Sequence, residues 1–411
     1  MIKDRIVLTK NLFNTTILVS ALGYFVDIYD LILFGIVRVP SLKEMNISGD
    51  SLITTGVLLL NMQMGGMLIG GIIWGVLGDK KGRLSVLFGS IFLYSIANFL
   101  NAFVTSIQVY AFLRFIAGVG LAGELGAAIT LVSEVIPKEF RGYATAIVAS
   151  IGVSGAIAAA IIGDIFNWKI AYMIGGILGL ILLILRIRMF ESGLYNNLKE
   201  LNIGKGKFFS LFSSKDRFFR YLNCILIGMP IWFVVGILIT FSPEFGKVLG
   251  INGDVEAGKS IMFTYLGLII GDFGSGFLSQ IIKSRKKVFR LFISLTAFFI
   301  LIYLFIHGLS VFLFYALCVL LGTSIGYWAV FVTTASEQFG TNLRSTVTTT
   351  VPNFIRGTVV PITIAFEFLR EYIGMIYSAL IIGIICLLLA YLALSNLEET
   401  FGKDLDYLEK I

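Results

Sequence analysis

Two aspartates, Asp27 and Asp30, interrupt the otherwise apolar run YFVDIYDLILFG (24–35). Three residues apart on a helix, they lie on neighbouring parts of one face. A carboxylate at the middle of a bilayer costs roughly 2.5–3.5 kcal/mol on insertion scales, so two within one turn ask for a function. The chemistry that suits them is gain and loss of a proton. Arg114 opens the stretch RFIAGVGLAGELG (114–126), which also holds Glu124, and Arg356 lies in VPNFIRG (351–357). At about 1.5 Å per residue, Arg114 and the aspartates fall at compatible depths. An Arg114 pair with Asp27 or Asp30 is therefore expected, broken on protonation. Asp27, the deeper of the two, is taken as the proton carrier, and Asp30 as an orienting partner or substrate contact. The competing reading makes both static pairs or helix-end anchors. Glu124 reads either as a second relay group or as a structural hydrogen-bond acceptor. Arg356, with Asn353 on the same face, suits a substrate carboxylate or phosphate. Its alternative is a pair with an acid on another helix, such as Asp272. Gln63, Tyr327, Trp328 and Trp232 are further candidates to line a cavity, each also readable as a helix-packing residue.

The elements that must position these groups follow from composition. The chain has 411 residues, 57% hydrophobic and 14% charged, with a mean hydropathy of +0.92. A soluble chain carries nearer a quarter charged residues. Twelve apolar segments are long enough to cross a bilayer: 14–39, 52–78, 84–104, 107–133, 143–166, 169–189, 221–243, 260–282, 289–308, 310–334, 345–368 and 374–395. The first carries two carboxylates and lacks a small-residue cleavage site, so it reads as a span and not as a signal peptide. With both termini inside, 24 basic residues flank the inner ends and 6 the outer ones. The net charge of +7 is thus explained by topology. Nucleic acid is not expected as a partner. Cys224, Cys318 and Cys386 sit apart in apolar runs and His307 is the single histidine, so neither a metal site nor a cofactor is expected.

One long polar connection, 189–220, separates six spans from six. GVLGDKKGR (75–83) is echoed by GFLSQIIKSR (276–285) 201 residues later, and SEVIPKEFR (133–141) by SEQFGTNLR (336–344) 203 residues later. Glu134 thereby matches Glu337, and Arg141 matches Arg344. The division expected is 1–188 for a first bundle, 189–220 for a cytoplasmic central loop, 221–395 for a second bundle and 396–411 for a cytoplasmic tail, of which FGKDLDYLE (401–409) reads as solvated. A duplication of this kind places a substrate site between the halves near the midplane.

GVLGDKKGR resembles the loop signature of the major facilitator superfamily, with Gly75, Asp79, Gly82 and Arg83 at the patterned positions. ALGYFVDIYDLILFG, RFIAGVGLAGELG and SEVIPKEFRG resemble its metabolite–proton and aromatic-acid–proton symporters. That resemblance implies an all-α membrane fold of twelve helices in two pseudo-symmetric six-helix bundles. It also implies a loop, with Glu134 and Arg141, that governs the conformational switch. Span five, GVSGAIAAAIIG (152–163), lacks the proline of the drug antiporters, and Gln280 replaces Asp79 in the second half.

The function expected is proton symport of a small organic anion or polar metabolite by alternating access. The carrier would be a monomer in a bacterial inner membrane. Proton-exchange export, for instance of a carboxylate siderophore, is the alternative. A non-transporting membrane sensor is a reading of another class, and it would call for a soluble domain larger than the stretch of about 30 residues seen here. No nucleophile–base pair or phosphate loop suggests an enzyme. The GLAGE glycines lie inside a bilayer-length helix and do not form a dinucleotide loop.

Overall fold

The computed structural model describes residues 15–81, 83–126, 141–191, 208–402 and 409. Fourteen α-helices follow in order: α1 (Thr15–Glu44), α2 (Asp50–Lys81), α3 (Arg83–Asn101), α4 (Ile107–Leu121), α5 (Arg141–Ile165), α6 (Trp168–Glu191), α7 (Lys215–Phe233), α8 (Ser242–Val248), α9 (Ala257–Ile282), α10 (Arg285–Phe305), α11 (Val311–Ile325), α12 (Trp328–Glu337), α13 (Thr341–Gly357) and α14 (Val359–Asn396). No strand occurs among the described residues. Among the described residues, ten stretches are long and apolar enough to span a membrane, and Ser85–Asn101 is a shorter apolar helix. The longest, Thr346–Asn396, is two crossings. Gly374 interrupts it with φ 75°, a left-handed backbone that only glycine adopts without strain. Each of the twelve expected segments coincides with helix where it is described, the fourth as far as Gly126. Outward-facing Phe277 and Phe312, 69% and 79% exposed, belong to the apolar surface that lipid covers.

Two spans depart from regular helix where the chain must turn side chains inward. Pro230 removes a backbone donor from α7, and a π-helical turn follows at Val234–Ile239, closed by Thr240 N–H to the Val235 carbonyl at 3.1 Å. The tenth span breaks between α11 and α12 at Gly326 and Tyr327.

Glycine sets the closest helix approaches. A Cβ on Gly66 of α2 would lie 2.2 Å from the Phe115 carbonyl of α4, and one on Gly118 of α4 would lie 2.0 Å from the Gln63 carbonyl. The same reciprocal pair recurs between α9 and α11. There, Gly267 faces the Val319 carbonyl at 2.0 Å and Gly322 faces the Thr264 carbonyl at 1.9 Å. Gly267 stands 201 residues after Gly66, the spacing of the repeated loop motifs. The duplication seen in the loops thus extends to backbone packing between spans two and four and spans eight and ten.

Three expectations are corrected here. Arg186, one of the 24 basic residues counted at the inner ends, lies on α6 and is buried. Part of the central connection is built structure, with the ring of Phe208 in a 3₁₀ turn (Phe208–Phe212) packed at a tilt 6.1 Å from that of Phe354 and α7 starting at Lys215. The tail is docked at Glu399 and Thr400, and Glu409, within the stretch read as solvated, is held as well. Glu399 accepts from Ser284 Oγ at 2.5 Å and from the Arg285 and Lys286 amides at 2.9 and 3.2 Å, capping α10. Burial pushes the Glu399 pKa up, but these donors outweigh it and hold the carboxyl below its ordinary value. Thr400 donates to Glu337 at 2.6 Å, and Glu409 pairs with Arg220 at 2.9 Å.

Adjacent glycines test the packing. Gly66→Ala forces a Cβ into backbone and should lower stability by roughly 1–3 kcal/mol. Gly65, whose added Cβ meets nothing within 4 Å, should tolerate alanine or gain up to about 1 kcal/mol from helix propensity. Thermal unfolding of both variants in detergent reads the contrast; equal midpoints would refute the close approach of α2 and α4.

Candidate functional site

The two aspartates of α1 enter different surroundings. Asp27 faces Arg356 of α13, with Nη2 3.9 Å from Oδ2, a separation that is an ion pair but not a hydrogen bond. Both Asp27 oxygens, and Arg356 Nε and Nη1, are buried without a protein hydrogen-bond partner. The Trp232 and Trp328 rings flank the guanidinium, their centroids 5.8 and 5.9 Å from its carbon. Trp232 Nε1 is a further buried donor without a protein partner. These indoles, Arg356, Tyr24 and Tyr265 line a small cavity of about 30 Å³ between the first six spans and the last six. That volume is roughly one water molecule. Unmet polar atoms rarely gather in a protein interior, because each forfeits its hydration without compensation.

Asp30 turns instead into the first six spans. Its Oδ1 lies 2.1 Å from where a Cβ on Gly175 of α6 would stand, so glycine there makes room for the carboxylate. Arg114 and Asn98 are its polar neighbours. The expected Arg114–aspartate pair is not formed: no ion pair links Arg114 to either aspartate among the described residues. Arg114 donates to the Asn98 side-chain oxygen at 3.3 Å and to the Gln63 side-chain oxygen, and lies over Phe34 and Tyr172 at 5.2 and 5.7 Å. The two carboxylates share a helix turn but not a partner.

Other candidate residues sort by what already holds them. Gln63 is committed to Arg114 and, through Nε2, to the Leu31 carbonyl at 3.2 Å, so it braces the first bundle and does not line the cavity. Tyr327 donates to the Ile227 carbonyl at 3.0 Å and packs against Phe289 and Phe292, away from the cavity. Asn353 donates to the Ala122 carbonyl at 2.7 Å, a tie between α13 and the end of α4. Asp272, offered as an alternative partner for Arg356, accepts instead from the Ala329 amide at 3.1 Å. Glu124 is held by Arg186, with Nη1 3.0 Å from Oε2 and Nη2 bonded to Oε1. Both side chains are buried against Gly23 of α1, which accounts for Glu124 as a structural acceptor. In the loop motif, a Cβ on Gly75 would lie 3.4 Å from Thr350 Cγ2. Gly82 and Glu134 lie outside the described residues, as do the side chains of Asp79, Arg83 and Arg141.

Contacts close the cavity on both sides. Toward one end, Asn353 reaches Ala122, and a Cβ on Gly71 would lie 3.0 Å from that of Asn353. Toward the other, Thr363 donates to Asn61 at 2.6 Å and Arg38 grips Glu244 through two bonds of 2.7 and 2.8 Å. Arg38 is fully buried, packed on Phe241 at 4.5 Å and on Gly56, where a Cβ would stand 2.8 Å from its Cδ. Beyond that pair lies an open cleft of about 980 Å³ lined by Lys43, Asp50, Lys247 and Arg370. Arg38 is one of the six basic residues counted at the outer span ends, and Glu244 carries no signal of its own in the sequence. An arginine preceding Pro40 inside a continuous helix was the available signal.

Residues 20–357 match the family model described as Major Facilitator Superfamily. A provisionally named niacin/nicotinamide transporter of Bacillus subtilis is 26% identical over 347 residues, covering 82% of this chain and 84% of that protein. A gentisate transporter of Corynebacterium glutamicum is 27% identical over 261 residues, 60% of this chain and 56% of its own length. A benzoate transport protein of Acinetobacter baylyi is 32% identical over 170 residues, covering 39% and 36%. The chain thus spans less than two thirds of the latter two.

The Glu124–Arg186 assignment is testable through stability. Removing one partner of a buried pair costs roughly 3–5 kcal/mol, so Glu124→Gln should lower the unfolding midpoint sharply and Glu124→Gln/Arg186→Gln should recover much of it. A normal midpoint in the single variant, with proton coupling lost, would make Glu124 a relay group instead.

Proposed function

The chain belongs to the Major Facilitator Superfamily, and from that premise we propose that it carries a small organic anion together with a proton by alternating access. It is an integral membrane transporter and not an enzyme. The observation that carries the finer reading is the single guanidinium of Arg356, buried among aromatic rings and only partly engaged by Asp27 at 3.9 Å. A substrate carboxylate can accept from an unpartnered donor of Arg356, Nε or Nη1, and Trp232 Nε1 can donate to the same anion. The anion then competes with Asp27 for one cation. In a cavity of low dielectric, two negative charges beside one positive charge are unfavourable, and a proton on Asp27 restores balance. Anion and proton are thereby bound as a neutral set, which is the requirement for symport. The relatives, named for niacin, benzoate and gentisate, support a small acid of that kind.

Arg38–Glu244 and Thr363–Asn61 on one side, and Asn353–Ala122 on the other, are the contacts that must open in turn. A cavity of about 30 Å³ cannot hold such a substrate with both sides closed, so binding requires one side to part. Asp30, with Arg114 and Asn98 beside it, acts as a support that fixes α1 within the first bundle.

The test uses purified protein in liposomes enclosing a pH-sensitive dye, with protein-free liposomes correcting for permeation of neutral acid. Adding nicotinate, benzoate or gentisate should acidify the interior for the transported member. Asp27→Asn should abolish acidification while retaining substrate binding. Arg356→Gln should weaken binding tenfold to a hundredfold, from loss of charge-assisted bonds worth about 1.5–3 kcal/mol each. Alkalinisation would reverse the coupling to exchange. Transport without a proton signal, unaltered by Asp27→Asn, would sink the role given to Asp27.

A further inference from the structure

Asp272 of α9 is an ionisable side chain that the proposed transport step leaves unused. It lies roughly 15 Å from the end of α9 at Ile282, well within bilayer depth. Among the described residues no cation stands within ion-pair distance of it. What it meets is the break in the tenth span. Gly326 has φ −75° and ψ 59° and Tyr327 φ −122° and ψ 20°, which ends α11 and starts α12 at Trp328. The first internal bond of α12 runs from Phe331 N–H to the Tyr327 carbonyl at 2.9 Å. The amides of Trp328, Ala329 and Val330 are consequently left without helical acceptors. Asp272 Oδ1 accepts from Ala329 at 3.1 Å, and the Trp328 amide faces the same carboxylate.

This meeting is built by glycine on both helices. A Cβ on Gly326 would lie 2.5 Å from Gly271 Cα and 2.7 Å from the Asp272 amide nitrogen. A Cβ on Gly271 would lie 2.2 Å from the Thr323 carbonyl. Backbone therefore runs against backbone at the break, and the residue after Gly271 is carried to the freed end of α12. The positive end of the half-helix compensates the carboxylate, and the carboxylate satisfies the half-helix.

We propose that Asp272 is a positioning residue for substrate recognition: by capping α12 at Ala329 it sets Trp328, the first residue of that half-helix, against Arg356 in the cavity. The proposal rests on the reading that this cavity binds the substrate. Trp328 lines the cavity and lies 5.9 Å from the guanidinium, so the cap and the binding wall are one residue apart.

Two measurements test it. Hydrogen exchange on the full chain in nanodiscs needs no substrate. Asp272→Ala should speed exchange of the Ala329 amide about tenfold, and Asp272→Asn, whose side-chain oxygen still accepts, should keep most of the protection. Unchanged exchange in Asp272→Ala overturns the cap, as does equal loss of protection in Asp272→Asn. The second measurement is uptake of radiolabelled nicotinate and benzoate into proteoliposomes. Asp272→Ala should raise KM about tenfold with kcat within twofold, Asp272→Asn should restore KM, and Trp328→Phe should raise KM with no further rise when combined with Asp272→Ala. Additive effects would overturn action through Trp328. Failure of the underlying reading looks different: Arg356→Gln would then bind and transport normally, while exchange at Ala329 would still report on Asp272.

Discussion

Arg356 and Asp27 stand 3.9 Å apart at bilayer depth, close enough to attract strongly and too far to share a hydrogen bond. The rest of the structure keeps them that way. Asp27 cannot turn to Arg114, because that guanidinium is occupied by Asn98 and Gln63 within the first bundle. Arg356 cannot turn to Asp272, because that carboxylate caps α12. Trp232 and Trp328 present ring faces to the guanidinium, which attract a cation without bringing a second carboxylate to it. An ion pair held short of completion is readily exchanged for an anion and a proton, whereas a fully bonded one such as Glu124–Arg186 is a clamp.

The same contrast separates moving contacts from fixed ones. Within each set of spans the helices meet through glycine, with carbonyl oxygens about 2 Å from where a Cβ would sit, and such surfaces transmit displacement without deforming. Between the sets, closure relies on a few polar contacts: Arg38 to Glu244, Thr363 to Asn61 and Asn353 to the Ala122 carbonyl. Rigid bodies joined by a few exchangeable bonds are suited to rocking about a central site.

Irregular backbone appears where the cavity needs it. The π turn after Pro230 carries Val235 to the cavity beside Trp232, and the break at Gly326 and Tyr327 carries Trp328 there. Both interruptions leave backbone groups that lipid could not satisfy, and both are answered locally, by the Thr240 hydroxyl on the Val235 carbonyl and by Asp272 on the Ala329 amide.

Much of this was legible in the residues alone. Length and polarity of apolar runs are local properties, so the limits of the spans agree within a few residues where they are described, and the duplication read from the loop motifs recurs in the glycine pairs. Asp27, Arg356, Trp232 and Trp328 were also visible as candidates, because a polar or aromatic group at bilayer depth announces itself by its energetic penalty. Pairing was not legible. Depth along a helix can be counted, but its rotation and its neighbours are set by packing across hundreds of residues. Asp27 and Asp30, three positions apart, thus diverge to Arg356 and to the Arg114 side of the first bundle. Gln63 and Tyr327 turned from cavity walls into braces for the same reason. Arg38–Glu244, Glu124–Arg186 and Asp272–Ala329 join residues 206, 62 and 57 positions apart. Only the tertiary structure, by fixing which helix faces meet, decided which charges hold the protein together and which pair is left free to exchange.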